Sequence, residues 1–87
     1  MILNLTQHPA TPDQIVAGVV EPSDKAAVQA ALTFHNLPTE AVLKARAETL
    51  AWFAVAQGAT SAMIGGAPYF MRSLEAALWD VGIRPLY

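Results

Sequence analysis

The chain has no cysteine among its 87 residues, which excludes a disulfide framework and a thiolate zinc site and fits a reducing compartment. Charge is scarce as well. Only 14% of residues are charged, five Lys and Arg against seven Asp and Glu, for a formal net charge of -2. The cations are scattered singly, so no basic stripe can neutralise a run of phosphates, and general DNA or RNA binding is not expected. Two histidines alone make a weak metal case, and neither a metal nor a cofactor is expected. The N-terminal apolar run, Met1 to Leu5, is too short for a secretory signal and has no basic flank.

One long run does lack charge. Leu50 to Met71 could cross a bilayer by length alone. Gln57, Gly58, Thr60, Ser61, Gly65, Gly66 and Pro68 interrupt it, and a helix ending at Gly58 followed by a short buried strand accounts for its apolarity. No membrane span is expected, and a cytoplasmic location is.

What is present is apolar material: 54% of residues are hydrophobic, far from the balance of a disordered chain. A chain this short supports one core, hence a single domain over residues 1–87. So little charge leaves poor polar cover for an isolated monomer, and a homodimer is the expected state.

Punctuation divides the chain into short elements. Ile2 to Leu5 reads as a first strand, leaving through Thr6-Gln7-His8-Pro9 into a loop. Thr11-Pro12-Asp13-Gln14 carries an N-cap hydroxyl, proline at the first helical position and Gln at the capping-box position, and the helix it opens ends before Gly18. Val19-Val20 leads to Glu21-Pro22-Ser23, where Ser23 is the expected cap of a helix through Ala31. Leu32-Thr33-Phe34 is expected as a strand. Thr39 caps a long helix to Gln57 with a buried stripe of Leu43, Ala47, Leu50 and Ala54, Phe53 beside it, and Gly58 as its stop. Ser61 to Ile64 is a strand, Gly65-Gly66-Ala67 a turn, and Pro68 opens a helix with Phe70, Met71, Leu74, Ala77, Leu78 and Val81 on one face. Ile83 to Tyr87 is a final strand, placed at an edge or near its end by Pro85. Strand, helix and strand joined by short turns make a βαβ unit, and the whole predicts an α/β fold: a small Rossmann-like parallel sheet with flanking helices. That final strand runs to the last residue, as if shortened.

Open parallel sheets bind ligands outside the carboxyl ends of their strands. Two segments have that position, Asn4 to Gln14 and Gly65 to Pro68. The glycine pair lets backbone approach a ligand, with the Gly66 and Ala67 amides facing an anionic group, although such a pair also serves plain turn geometry. Thr11 and Gln14 are explained by capping. His8, between a strand end and a helix start, is placed to donate to a phosphate or move a proton near neutral pH; a histidine bonding only to loop backbone is the alternative. His35, beside a turn, has a weaker case. Ser23, Ser61 and Ser73 lack a nucleophile-elbow context, so no triad is supported. Glu48 and Glu75 fall on polar helix faces and form no paired-acid centre. Trp52 and Trp79 lie off the apolar stripes of their helices, which suggests an interface unless the sheet or the chain ends cover them.

The opening Asn4-Leu5-Thr6-Gln7-His8-Pro9-Ala10-Thr11-Pro12-Asp13-Gln14, with Ile64-Gly65-Gly66-Ala67-Pro68-Tyr69 and Gly82-Ile83-Arg84-Pro85-Leu86-Tyr87, resembles a group of small uncharacterised bacterial and phage proteins. Relatives in that group continue past the tyrosine, and the group brings no function. More distantly, His8, Thr11 and Gln14 match the His-x-x-Thr-x-x-Gln pattern that follows the first strand in the small CRISPR-associated ring nucleases. That resemblance implies a Rossmann-like dimer that binds, and in its sharp form cleaves, cyclic oligoadenylate at strand-end loops without a metal. Gln7 is an extra residue relative to the pattern and shifts its register. The expectation is therefore a module for a nucleotide-type or other phosphate ligand, contacted by Thr6, Gln7, His8, Gly65 and Gly66, with His8 as the catalytic candidate. A non-enzymatic protein-interaction protein of phage or bacterial origin is the rival.

Overall fold

A computed structural model describes all residues from Met1 to Tyr87. Its elements are β1 (Ile2–Leu5), α1 (Pro12–Val16), β2 (Val19–Val20), α2 (Lys25–Leu32), α3 (Glu40–Ala56), β3 (Ser61–Ile64), α4 (Pro68–Asp80) and β4 (Arg84–Leu86). The four strands form one sheet in the order β2-β1-β3-β4, and every pairing is parallel. The α/β class and the small Rossmann-like sheet read from the sequence are therefore observed.

Local chemistry explains where the helices start. Thr11 and Gln14 form a complete capping box: the Thr11 hydroxyl accepts from the Gln14 amide at 3.2 Å, and the Gln14 side chain accepts from the Thr11 amide at 2.9 Å. Thr39 caps α3 by accepting from the Val42 amide at 3.2 Å. Pro68 stands in the first turn of α4, and the side chain of its N-cap residue, Ala67, makes no capping bond. Gly58 and Gly82, with φ of 76° and 74°, take the left-handed conformation that ends α3 and α4.

Three expectations need correction. Asp24, not Ser23, caps α2, accepting from the Ala27 amide at 3.0 Å; Ser23 instead donates its amide and hydroxyl to the Gln57 side-chain oxygen. No strand forms at Leu32-Thr33-Phe34, because Leu32 still belongs to α2 and side chains satisfy the backbone beyond it: the Arg46 guanidinium donates to the Thr33 carbonyl. The sheet's remaining strand is Val19–Val20, paired with Ile2 and Leu3. Val81 lies just past α4 and is exposed rather than part of its buried face.

Alternation along the strands divides the sheet into two faces. Leu3, Leu5, Ala62 and Ile64 form one cluster with the buried residues of α2, α3 and α4, including Val28, Leu50, Phe70, Leu74 and Leu78. Ile2, Asn4, Ser61 and Met63 project the other way. Because β1 connects to β2 in the direction opposite to that of β3 to β4, right-handed crossovers put α1 on this second face; α1 packs beside β2 and buries none of its own residues. At the far edge the Arg84 amide donates to Thr60, so Pro85 turns its missing donor outward, where no ladder bond is lost. No helix is long and apolar enough to cross a membrane.

Candidate functional site

The connection leaving β1 turns toward β2, and the one leaving β3 turns toward β4. Between the carboxyl ends of these central strands the chain paths diverge, which is where open parallel sheets leave a crevice. A cleft of about 360 Å³ lies there. Thr6, Gln7, His8, Gly65 and Gly66, expected from two segments nearly sixty residues apart, all line it, together with Thr11, Gln14, Met63 and Tyr87. His8 and Tyr87 are the titratable side chains on its walls. His35 is not among its walls and sits exposed in the α2–α3 connection.

The shape of the first loop is set by Asn4, which is 2% exposed. Its side-chain oxygen accepts from the Thr6 amide at 3.0 Å and the Thr6 hydroxyl at 2.7 Å, while its nitrogen donates to the His8 carbonyl at 2.8 Å and to Glu21 at 2.6 Å. Both hydrogens and both lone pairs are thus used, the full capacity of an amide. Glu21 also accepts from the Ala10 amide at 3.3 Å and pairs with Lys25 at 3.7 Å. The same carboxylate therefore holds Ala10 directly and the His8 carbonyl through the Asn4 amide. From the other side Gln29 donates to the Thr6 carbonyl at 3.1 Å. The result is a braced loop backbone with an exposed His8 ring that makes no bond within the chain.

Across the cleft, Gly66 has φ of 146°, a conformation that disfavours any side chain. Gly65 is not so constrained, and a Cβ built there would meet only the Thr6 methyl at 3.8 Å. Tyr87 reaches over from the end of β4 and donates its hydroxyl to Glu75 of α4 at 2.5 Å. That hydrogen bond, followed by desolvation and the carboxylate's negative charge, raises the phenol above its usual 10.0.

The lining side chains include uncharged donors and no Asp or Glu, which suits an anion or a polyhydroxylated group. A groove of about 390 Å³ between α3 and α4 has the opposite character, with Glu40, Glu48 and Asp80 around Lys44. Trp52 and Trp79 line neither cavity, and they are 65% and 59% exposed on α3 and α4. The sheet and chain ends leave both uncovered.

Residue type and spacing alone do not mark Asn4, Glu21 and Tyr87 as site residues. For Asn4 a signal existed, a lone amide inside the apolar run Ile2-Leu3-Asn4-Leu5; Glu21 gave none, because its role depends on β2 lying beside β1. No protein family, curated protein or solved structure matches this chain, and the site is read from its own residues.

Proposed function

We propose that the protein is a binding module for a small phosphate-bearing ligand of the nucleotide type, held in the cleft between the carboxyl ends of β1 and β3. The observation that carries this reading is the convergence of Thr6, Gln7, His8, Gly65 and Gly66 on the divergence point of a parallel sheet. Phosphate oxygens need several donors at once, and the Thr11 hydroxyl, the Gln14 side-chain nitrogen and the His8 imidazole, which donate no bond within the chain, are of that kind. The unengaged His8 ring supports a direct contact with the phosphate.

Cyclic oligoadenylate is the specific ligand that the sequence resemblance points to. Its opening would form a bond from a ribose 2′-oxygen to the adjacent phosphorus and break the bond to the 5′-oxygen, the proton passing from the 2′-hydroxyl to a base and another being delivered to the leaving oxygen. His8 is the residue suited to that transfer, and in-line positioning would supply most of the acceleration. Calorimetry with cyclic tetra-adenylate and adenosine monophosphate, with chromatography of the products, tests the reading. Binding weakened about ten-fold or more in His8→Gln, the loss of one charge-assisted hydrogen bond, is the expected result. Failure of both ligands to bind contradicts it.

A second reading rests on a separate observation, the exposure of the two indoles Trp52 and Trp79 on α3 and α4. It takes the outer surfaces of α3 and α4 as a protein-interaction face, used in a homodimer, and needs no ligand.

A further inference from the structure

A second cavity, of about 230 Å³, lies on the other side of the glycine turn. It is bounded by Gln7, Thr33, Phe34, Tyr69 and Met71, and it shares Gln7, Gly65 and Gly66 with the strand-end cleft. At residues 65 and 66 the divider between the two cavities is glycine backbone, and the two lie close enough to share it. Their side chains differ. The first offers hydroxyl, amide and imidazole groups, whereas the second has the edge-to-face aromatic set of Phe34 with Tyr69 and Phe70, at centroid distances of 5.7 and 5.2 Å.

That aromatic set is braced from behind. Arg46 lies over the Phe34 ring at 4.5 Å from its centroid and donates to the Thr33 carbonyl, anchoring the segment that carries Phe34. Tyr69 stays 47% exposed beside the turn. Gln7 spans the junction: its side-chain nitrogen reaches the Leu32 carbonyl at 3.5 Å, which leaves its oxygen to accept from an amino group on a ligand.

From the adjacency of a cleft bearing His8 and a cavity walled by Phe34 and Tyr69, which share Gln7 and the glycine turn, we infer that the ligand is a nucleotide whose heteroaromatic ring occupies the Phe34–Tyr69 cavity while its phosphate lies by Thr6 and His8. The inference rests on the phosphate-ligand reading above and adds the ring's place and the demand for one. Stacking on an aromatic side chain strengthens binding of a base roughly ten-fold, whatever its sequence identity.

Calorimetry with adenosine, adenosine monophosphate and ribose 5-phosphate separates the two parts. The wild type binds adenosine monophosphate about ten-fold more tightly than ribose 5-phosphate, and Tyr69→Ala abolishes that preference. Gly65→Val, at a position where a Cβ meets only ordinary contact, adds bulk to the divider and has the same effect, so a misfolded Tyr69→Ala does not decide the matter. His8→Gln weakens both phosphate ligands and leaves adenosine unchanged. Equal affinity of the wild type for ribose 5-phosphate and adenosine monophosphate, or an unaltered preference in the folded variants, overturns the ring site alone. Adenosine bound as tightly as its monophosphate, with no effect of His8→Gln, overturns the phosphate reading alone, and absence of binding by adenosine and its monophosphate overturns both.

Discussion

Asn4 shows how much of the site's form depends on one side chain. Its carbonyl oxygen faces two Thr6 donors and its nitrogen faces two acceptors, one of them the Glu21 carboxylate. In Asn4→Asp a second carboxylate replaces the donor that Glu21 bonds, so the fold loses a bond and gains like-charge repulsion at close range. The pair resists double ionisation, which raises the new acid's pKa when folded. Stability is therefore lowest at neutral pH and recovers as pH falls and one of the two carboxylates protonates. Urea unfolding at pH 7 and pH 4 should show the deficit, of about 3 kcal/mol at the higher pH, shrinking at the lower; an equal deficit at both contradicts the pairing. Tyr87 provides a second titration. Because its folded pKa is raised, its bond to Glu75 is present below the ordinary phenol range and is lost as pH rises through the folded value. Absorbance titration should find one phenol ionising above pH 10, and Glu75→Ala should bring it down.

Among the elements, α1 has the least tertiary support. It spans five residues and buries none, so its capping box supplies much of what holds it. Thr11→Ala removes one cap bond, at a cost of about 1 kcal/mol. The effect should appear as faster hydrogen exchange of the α1 amides rather than as a large drop in melting temperature, since local opening bypasses global unfolding; unchanged exchange contradicts this account of α1. The same contrast explains what could be read in advance. Helix starts at Thr11, Thr39 and Pro68 are decided by chemistry within four residues and are visible in the chain. Strand identity at Val19–Val20 and its absence at Leu32 to Phe34 are decided by distant partners, Ile2 and Leu3 for the one and Arg46 for the other. Likewise His8 and the glycine pair stand out by residue type, whereas Glu21 acquires its role only when β2 joins β1. The second cavity is not legible in the chain, because its wall residue Phe34 falls in a segment that reads as a strand.

At the scale of the whole molecule, the sheet is covered unequally. Three helices pack on one face, and α1 alone lies on the other, with Ile15 and Val16 of that helix 57% and 88% exposed. The outer surfaces of α3 and α4 carry the two tryptophans, and the interaction reading assigns them to a self-association interface. Buried aromatic anchors contribute about 2 kcal/mol or more each, so replacing both with Ser should shift a dimer strongly toward monomer in sedimentation equilibrium; a wild-type monomer at micromolar concentration, or an unweakened variant dimer, removes them from the interface. The proposed ligand site lies elsewhere, at the carboxyl ends of β1 and β3. Titrating adenosine monophosphate into isotope-labelled protein and mapping the amide shifts by nuclear magnetic resonance tests it most directly. The account predicts saturable shifts concentrated at Thr6, Gln7, His8, Gly65 and Gly66, whereas shifts gathered around Gly18, Gly58 and Thr60 at the other end of the strands, or none at millimolar ligand, would contradict it.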